Sequence, residues 1–361
     1  MREKSAVILN FTAGSYHWGC YGTAMEVYES LLERGYFVSW VPVEMTHALQ
    51  PSPETIASYD DAEFHKTFLT LNHDLLLAFQ QADVVVINGE GTLHRLHAGP
   101  RNLLYLAYLA KRYLGKRVHL LNGSFFPSGS VEADPQAETL YGGVARLLDR
   151  VTPREVRSRA VLERLGVACE QGFDCLPRFI ARLRLTRSPA AKDGPILLAG
   201  GVTFRGEDCE RLGRALAEAL PSDRPVRFLT GAKRAPARED QPAFEALRAH
   251  LPGLELRCAG AMGEWLDEIA SAACMISARF HHSLAAIALQ TPVIAFPSNT
   301  PKIEASFEML GLEPPLTLQR ADLAGALRAR LAPALAGEGG VASRDAIERI
   351  VQLADANFAG L

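Results

Sequence analysis

CMISARFHHSLAAIALQTPVIAFPSNTPK, residues Cys274 to Lys302, is the stretch that decides the fold. An apolar run, Met275 to Ser277, stops at Arg279. A small-residue segment, Ser283 to Leu289, has helical character, and a second apolar run, Pro292 to Phe296, ends in Ser298-Asn299-Thr300-Pro301-Lys302. Continuous apolar strands joined by a helix signal a parallel sheet covered on both faces. Outward from there the rhythm repeats. PILLAG (Pro195 to Gly200), VRFLTG (Val226 to Gly231) and LELRC (Leu254 to Cys258) alternate with helical patterns at Cys209 to Leu220, Ala243 to Leu251 and Glu264 to Ala272. The first half does the same with AVILN (Ala6 to Asn10), YFVSWVPV (Tyr36 to Val43), DVVVIN (Asp83 to Asn88) and RVHLLN (Arg117 to Asn122). Its helices are expected at Met25 to Glu33, Phe64 to Phe79 and Leu103 to Tyr113. The rhythm breaks at RSPAAKDGP, Arg187 to Pro195. These patterns predict an α/β chain: an N-terminal Rossmann-like domain over 1–186, a linker at 187–195 and a C-terminal Rossmann-like domain over 196–335. A last helix over 343–358, capped by Ser343, returns to the N-terminal domain; the Ala/Gly-rich segment before it reads as low complexity. Two such halves suggest a GT-B-like arrangement with an interdomain cleft at the carboxyl ends of both sheets.

With 361 residues, 48% hydrophobic and 22% charged, the composition excludes a disordered, collagenous or coiled-coil chain. A net charge of −3 gives no broad field for nucleic acid, so any anion site must be local. No window approaches the roughly 18 apolar residues of a membrane span, and the start lacks a secretory apolar region. The expected location is cytoplasmic, with at most peripheral contact with the inner membrane face. The six cysteines are scattered without a C-x-x-C pair and read as reduced packing thiols; no metal site and no cofactor are expected.

Four strand-to-loop transitions gather polar residues. NFTAGSYHWGCYGTA, Asn10 to Ala24, has Gly14, Gly19 and Gly22, which permit positive φ, and His17, Trp18 and Gly19 are candidates to meet an acceptor. VVVINGEGTLHRLH, Val84 to His97, ends a buried strand in Gly89 and Glu90, with His94 behind. A carboxylate there must be paired, with Arg95 or Arg101 or as a helix cap, or must bind sugar hydroxyls or act as a base. TPREVRS, Thr152 to Ser158, offers Arg154 and Ser158 to an anion, or is a helix start with Glu155 near its positive end. The fourth transition gathers Arg279, His281, His282, Asn299 and Lys302 at adjacent strand ends and helix starts, a concentrated anion site.

Asn88 to His94 (NGEGTLH), Arg154 to Ser158 (REVRS) and Ala278 to Lys302 together resemble the polysaccharide pyruvyl transferase family, in the same order along the chain. The resemblance implies a GT-B enzyme that transfers the pyruvyl group of phosphoenolpyruvate to two hydroxyls of a sugar in a cell-surface polysaccharide or its lipid-linked precursor, forming a cyclic ketal. It also implies that Arg279 and His281 line the phosphoenolpyruvate site, with Arg154 reaching it from the other domain. The residues suit that chemistry. Arg279, Arg154, Lys302, Asn299 and His282 answer a small donor bearing both carboxylate and phosphate; His281 is the acid/base, and Glu90 or His94 assists the acceptor hydroxyl. The first loop departs from the family's Gly-Asn-x-Gly pattern, carrying His17-Trp18-Gly19-Cys20-Tyr21-Gly22 instead. Two alternatives share the frame: a nucleotide-sugar glycosyltransferase, and a catalytically silent glycan-binding member.

Overall fold

The computed structural model describes residues 4–14, 17–185, 189–204, 206–231 and 240–361. They form two compact units. The first holds the described residues up to 14, Thr23–Arg178 and Ile350–Leu361; the second holds 17–22 and Phe179–Arg349.

In chain order the elements are β1 (Lys4–Phe11), α1 (Trp18–Glu33), β2 (Tyr36–Pro42), α2 (Val43–Ala48), α3 (Ala62–Leu71), α4 (His73–Gln81), β3 (Val84–Glu90), α5 (Ala98–Tyr108), β4 (Arg117–Gly123), α6 (Pro135–Ala145), β5 (Arg150–Pro153), α7 (Val156–Arg164) and α8 (Leu176–Arg182). They continue with β6 (Ile196–Ala199), α9 (Gly206–Ala219), β7 (Val226–Leu229), α10 (Asp240–Arg248), β8 (Glu255–Arg257), α11 (Met262–Ala270), β9 (Cys274–Ser277), α12 (Phe280–Ala288), β10 (Val293–Ala295), α13 (Lys302–Leu310), α14 (Leu323–Ala336) and α15 (Arg344–Asp355).

The first sheet is parallel, in the order β2-β1-β3-β4-β5. Both of its faces are apolar because alternate residues serve opposite layers: Val7 and Leu9 enter one core, Ala6 and Ile8 the other. The second core also receives Phe358 from the end of the chain. There Asn357 accepts from the Asn122 amide at 2.9 Å and donates to the Phe173 carbonyl at 2.8 Å. The second sheet is also parallel, in the order β10-β9-β6-β7-β8. In each order the direction of chain progress reverses once, between β1 and β3 in the first unit and between β6 and β9 in the second. Ligands of open α/β sheets bind at the carboxyl ends of strands flanking such a reversal.

Several elements differ from the sequence expectation. The stretch expected as one helix over Phe64 to Phe79 is broken at Asn72, whose side chain donates to the Phe68 carbonyl at 2.8 Å. α14, not expected from the sequence, runs into the Ala/Gly-rich segment before Ser343 that reads as low complexity; it is begun by an Asp322 bond to the Gly325 amide and ended by Gly337 at φ 78°. Leu323, Leu327 and Leu331, four apart, bury its inner stripe. The first unit gives way to the second at Arg178, ahead of the expected 187–195 linker, of which Arg187 and Ser188 lie outside the described residues. Pro189–Asp193 form a short 3-10 helix, with Ala191 buried and its carbonyl bonded to the Gly194 amide at 3.0 Å. Ser343 caps α15 through the Ala346 amide at 3.1 Å, as expected. Among the described residues no helix is long and apolar enough to cross a membrane.

Asn357→Ala removes these two bonds, and a third to Cys175 Sγ at 3.6 Å, and leaves the buried Asn122 amide and Phe173 carbonyl unsatisfied. It is expected to destabilise the first unit by about 2 to 3 kcal/mol, read as a lowered midpoint in thermal or urea unfolding.

Candidate active site

At the carboxyl edge of the first sheet, adjacent strands β1, β3 and β4 each carry a residue other than glycine in the left-handed region: Asn10 (φ 59°), Glu90 (φ 39°) and Asn122 (φ 56°). Such conformations cost on the order of 1 to 3 kcal/mol each and persist where surrounding bonds enforce them. Here the bonds form one chain. Asn122 donates from Nδ2 to Asn88 Oδ1 at 2.9 Å, and Asn88 donates to Glu90 Oε1 at 2.9 Å. Asn10 donates to the Asn88 carbonyl at 2.7 Å and to Thr92 Oγ1 at 2.9 Å. The Thr12 hydroxyl donates to the same Glu90 oxygen. Glu90, 5% exposed, therefore draws on Thr12 and Asn88 rather than on Arg95 or Arg101 as its bonded partners. Gly89 serves strand packing: a Cβ there would stand 2.7 Å from the Gly123 Cα on β4. His94 is half-buried, with Nδ1 2.8 Å from the Gly91 carbonyl.

Arg154, at 1% exposure, lies inside the first unit; Nε donates to Ser124 Oγ at 2.8 Å and Nη1 to Asp174 at 2.7 Å. Asp174 in turn accepts from Thr23 Oγ1 at 3.1 Å. The arginine expected to reach a donor is thus tied into a buried ion pair. Ser158 is not turned to an anion either: it bonds the Glu155 carboxylate, which caps α7 through the Arg157 and Ser158 amides at 2.9 Å.

In the second unit β9 delivers Arg279 to the start of α12. Ser277 Oγ takes the Arg279 amide at 3.0 Å and returns a bond to its carbonyl, closing a tight turn. Arginine has no acceptor to cap a helix, and α12 starts at Arg279 without a side-chain cap bond. The guanidinium Nη2 donates to Asp240, itself 1% exposed, whose other oxygen accepts from the Gly231 amide at 3.1 Å. On the neighbouring strand end, Lys302 starts α13 with Nζ bonded to Asn299 Oδ1 and placed 6.0 Å from the Phe280 ring centroid.

The two histidines after Phe280 differ. His282 is buried, accepts from Trp265 Nε1 at 3.2 Å and bonds the Thr230 backbone. Burial, then Arg279 and His17, hold its pKa well below the ordinary range. It is therefore a neutral packing group and not the donor cation expected of it. His281 is half-buried, with Nδ1 3.7 Å from Cys20 Sγ.

Cys20 belongs to the stretch expected as an acceptor-facing glycine loop. Gly14, Gly19 and Gly22 all lack positive φ, and α1 already begins at Trp18. Residues 17–22 fold with the second unit, the side expected to hold the donor. The Trp18 amide donates to the Gly231 carbonyl at 3.0 Å and its indole to the Ala259 carbonyl at 3.1 Å, so Trp18 is a buried anchor rather than an acceptor contact. Gly19 lies so close to His281 that a Cβ would fall 2.1 Å from the histidine Cβ. His17 packs at Gly231 beside His282; burial first, then Arg279 and His281, lower its pKa from 6.5 to about 3.

Sequence reading missed Asp240, which follows a charged stretch with no strand or helix period, and the asparagine chain. The latter had a signal: ILN10, VIN88 and LLN122 each place asparagine at the end of an apolar run.

Two parallel-sheet α/β units, each with its polar groups at the chain reversal of its sheet, define a GT-B-like chain. Its sequence matches the polysaccharide pyruvyl transferase family over residues 41–300, and the chain belongs to that family of transferases. No curated protein sequence matches it. Among solved structures it is similar to the UDP-GlcNAc 2-epimerase of Methanocaldococcus jannaschii, with 12% identity and a TM-score of 0.60 over 98% of this chain and 99% of that one. HepE of Anabaena, in complex with UDP and glucose, is 12% identical with a TM-score of 0.59 and full coverage of both chains. The Neisseria meningitidis UDP-GlcNAc 2-epimerase, bound to UDP-GlcNAc, is 10% identical with a TM-score of 0.59 over 97% of this chain and 99% of that one.

Gly19→Ala must displace His281 and is expected to lower activity by about 100-fold with the chain still folded, checked by kcat alongside a thermal melt. His17 sets a pH dependence. Its folded pKa of about 3 lies below the ordinary 6.5, so on acidification the unfolded chain takes up a proton that the folded chain refuses. That contribution is complete above pH 6.5 and is lost as pH falls toward 3. His17→Gln is expected to flatten the fall of Tm with acidification; an identical slope in both chains would contradict this assignment.

Proposed function

We propose that this chain moves the pyruvyl group of phosphoenolpyruvate onto two hydroxyls of a sugar, in a cell-surface polysaccharide or its lipid-linked precursor. The product is a cyclic ketal, and phosphate is released. Family membership supports the reaction class. The observation that carries the donor is the placing of Arg279, His281, Lys302 and Asn299 at the ends of adjacent strands β9 and β10, where two helices start. A carboxylate and a phosphate on one small frame call for several cations and helix-end amides. Asp240 offsets one positive charge while orienting Arg279, so Lys302 and the α12 amides are needed as well.

In this scheme His281 delivers a proton to the methylene carbon, which becomes the methyl group. One sugar hydroxyl attacks the carbon bearing phosphate and gives up its proton, with Glu90 as the acceptor and His94 in support. Phosphate then leaves, and the second hydroxyl closes the ring, losing its proton. Of the two protons released by the hydroxyls, one replaces that spent on carbon and one ends on phosphate. Arg154 and His282 hold shape and touch neither substrate. No cofactor and no metal enter the scheme.

The test is phosphate release from phosphoenolpyruvate across a panel of free and lipid-linked saccharides, read with mass gain on the sugar. Arg279→Lys is expected to raise the KM for phosphoenolpyruvate about tenfold or more, and His281→Ala to lower kcat by about 100-fold to 10,000-fold. Full transfer by both variants, or stabilisation by uridine diphosphate but not by phosphoenolpyruvate, would overturn the reading.

A further inference from the structure

The carboxyl half of β2 carries an aromatic surface that the residues above do not use. Trp40 is 49% exposed, whereas the other two tryptophans, Trp18 and Trp265, are 8% and 0% exposed. Its indole is nevertheless held from two sides. Phe11, the last residue of β1, packs on it with ring centroids 5.3 Å apart and a 36° tilt, and Tyr28 of α1 meets it edge-on at 5.7 Å. A large side chain fixed by two rings, with about half its surface open, has already lost its rotamer freedom, so a ligand laid on it is spared that cost.

The surroundings indicate what covers it. Thr12 follows Phe11 and hydrogen-bonds Glu90, so the aromatic group and the asparagine chain share one strand end. β2, β1 and β3 are consecutive in the sheet, which sets the strand of Trp40 two spacings, about 10 Å, from that of Glu90. The elements that carry these rings also carry carboxylates: Glu29 follows Tyr28 on α1, and the exposed Glu44 comes just after β2. Carboxylates on the same elements disfavour anionic lipid headgroups and a like-charged second copy. A neutral sugar suits all of this, with C–H faces for the indole and hydroxyls for carboxylates and amides.

We propose that Trp40, backed by Phe11 and Tyr28, is a stacking platform for a sugar ring of the acceptor saccharide, beyond the ring that receives the pyruvyl group. The proposal rests on the pyruvyl-transfer reading for the fate of the saccharide, not for its binding.

Acrylamide quenching of tryptophan fluorescence reports Trp40 selectively, because the other two indoles are buried. Cellotetraose, maltotetraose and mannotetraose serve as probes, and at least one is expected to protect the quenchable fraction. In turnover, Trp40→Ala is expected to raise the KM for that saccharide by about threefold to tenfold, with kcat and the KM for phosphoenolpyruvate not following, and Trp40→Phe to restore most of the loss. The platform is overturned if no tetrasaccharide protects Trp40. It is equally overturned if vesicles of phosphatidylethanolamine and phosphatidylglycerol protect it instead, or if sedimentation shows a dimer that Trp40→Ala abolishes. Saccharide protection without phosphate release from phosphoenolpyruvate would keep the platform and remove the transfer reading. Phosphate release with one saccharide KM for wild type and Trp40→Ala would do the reverse.

Discussion

Parallel strands all stop on the same edge of their sheet, and the polar groups exposed where they stop need partners that the sheet no longer supplies. Each unit of this chain meets that requirement with side chains. In the first, amide groups from Asn10, Asn88 and Asn122 link three strand ends, and the backbone turns into the left-handed region to let them meet. In the second, Ser277 closes the turn after β9 while Asp240 ties the β7 exit to Arg279. The groups that make each edge stable are therefore the groups that give it a chemical character: hydroxyl and amide around a carboxylate in the first unit, cations and helix starts in the second.

Both units also bury an arginine against an aspartate, and the two pairs serve differently. Arg154 and Asp174 are each 1% exposed and bind Ser124 and Thr23 as well, so the pair organises the interior of its unit. Removing one member of such a pair typically costs about 3 to 5 kcal/mol, because the other charge stays buried. Arg279 is slightly more open, at 7%, and stands at the start of α12. Around it the imidazoles of His17 and His282 are kept uncharged by burial, and the positive character rests on Arg279 and Lys302.

The α/β alternation was legible because buried parallel strands leave unbroken apolar runs, and the anion-type cluster because Arg279, His281 and Lys302 follow such runs directly. What escaped sequence reading was set by contacts distant in the chain. Trp18 begins a helix in a glycine-rich stretch because Gly231 and Ala259, more than 200 residues later, take its donors. The role of Gly19 is visible only once His281 lies against it. α14 was hidden by a composition in which alanine dilutes the leucine stripe and Pro333 interrupts the helical pattern. Arg154 follows a strand end as expected, yet its partner Asp174 lies 20 residues on, with nothing in the local pattern to announce the pairing.

The first unit depends on Asn357 and Phe358, which a ribosome adds only after all of the second unit. During synthesis the five strands of the first sheet are complete by residue 153, yet one core still lacks its aromatic plug and a strand-end amide its acceptor. The half of the protein made first is thus finished last. A nascent chain halted before residue 357 would expose apolar surface around Cys175 and Leu121 for the whole time needed to make the second unit, a natural point of engagement for a chaperone.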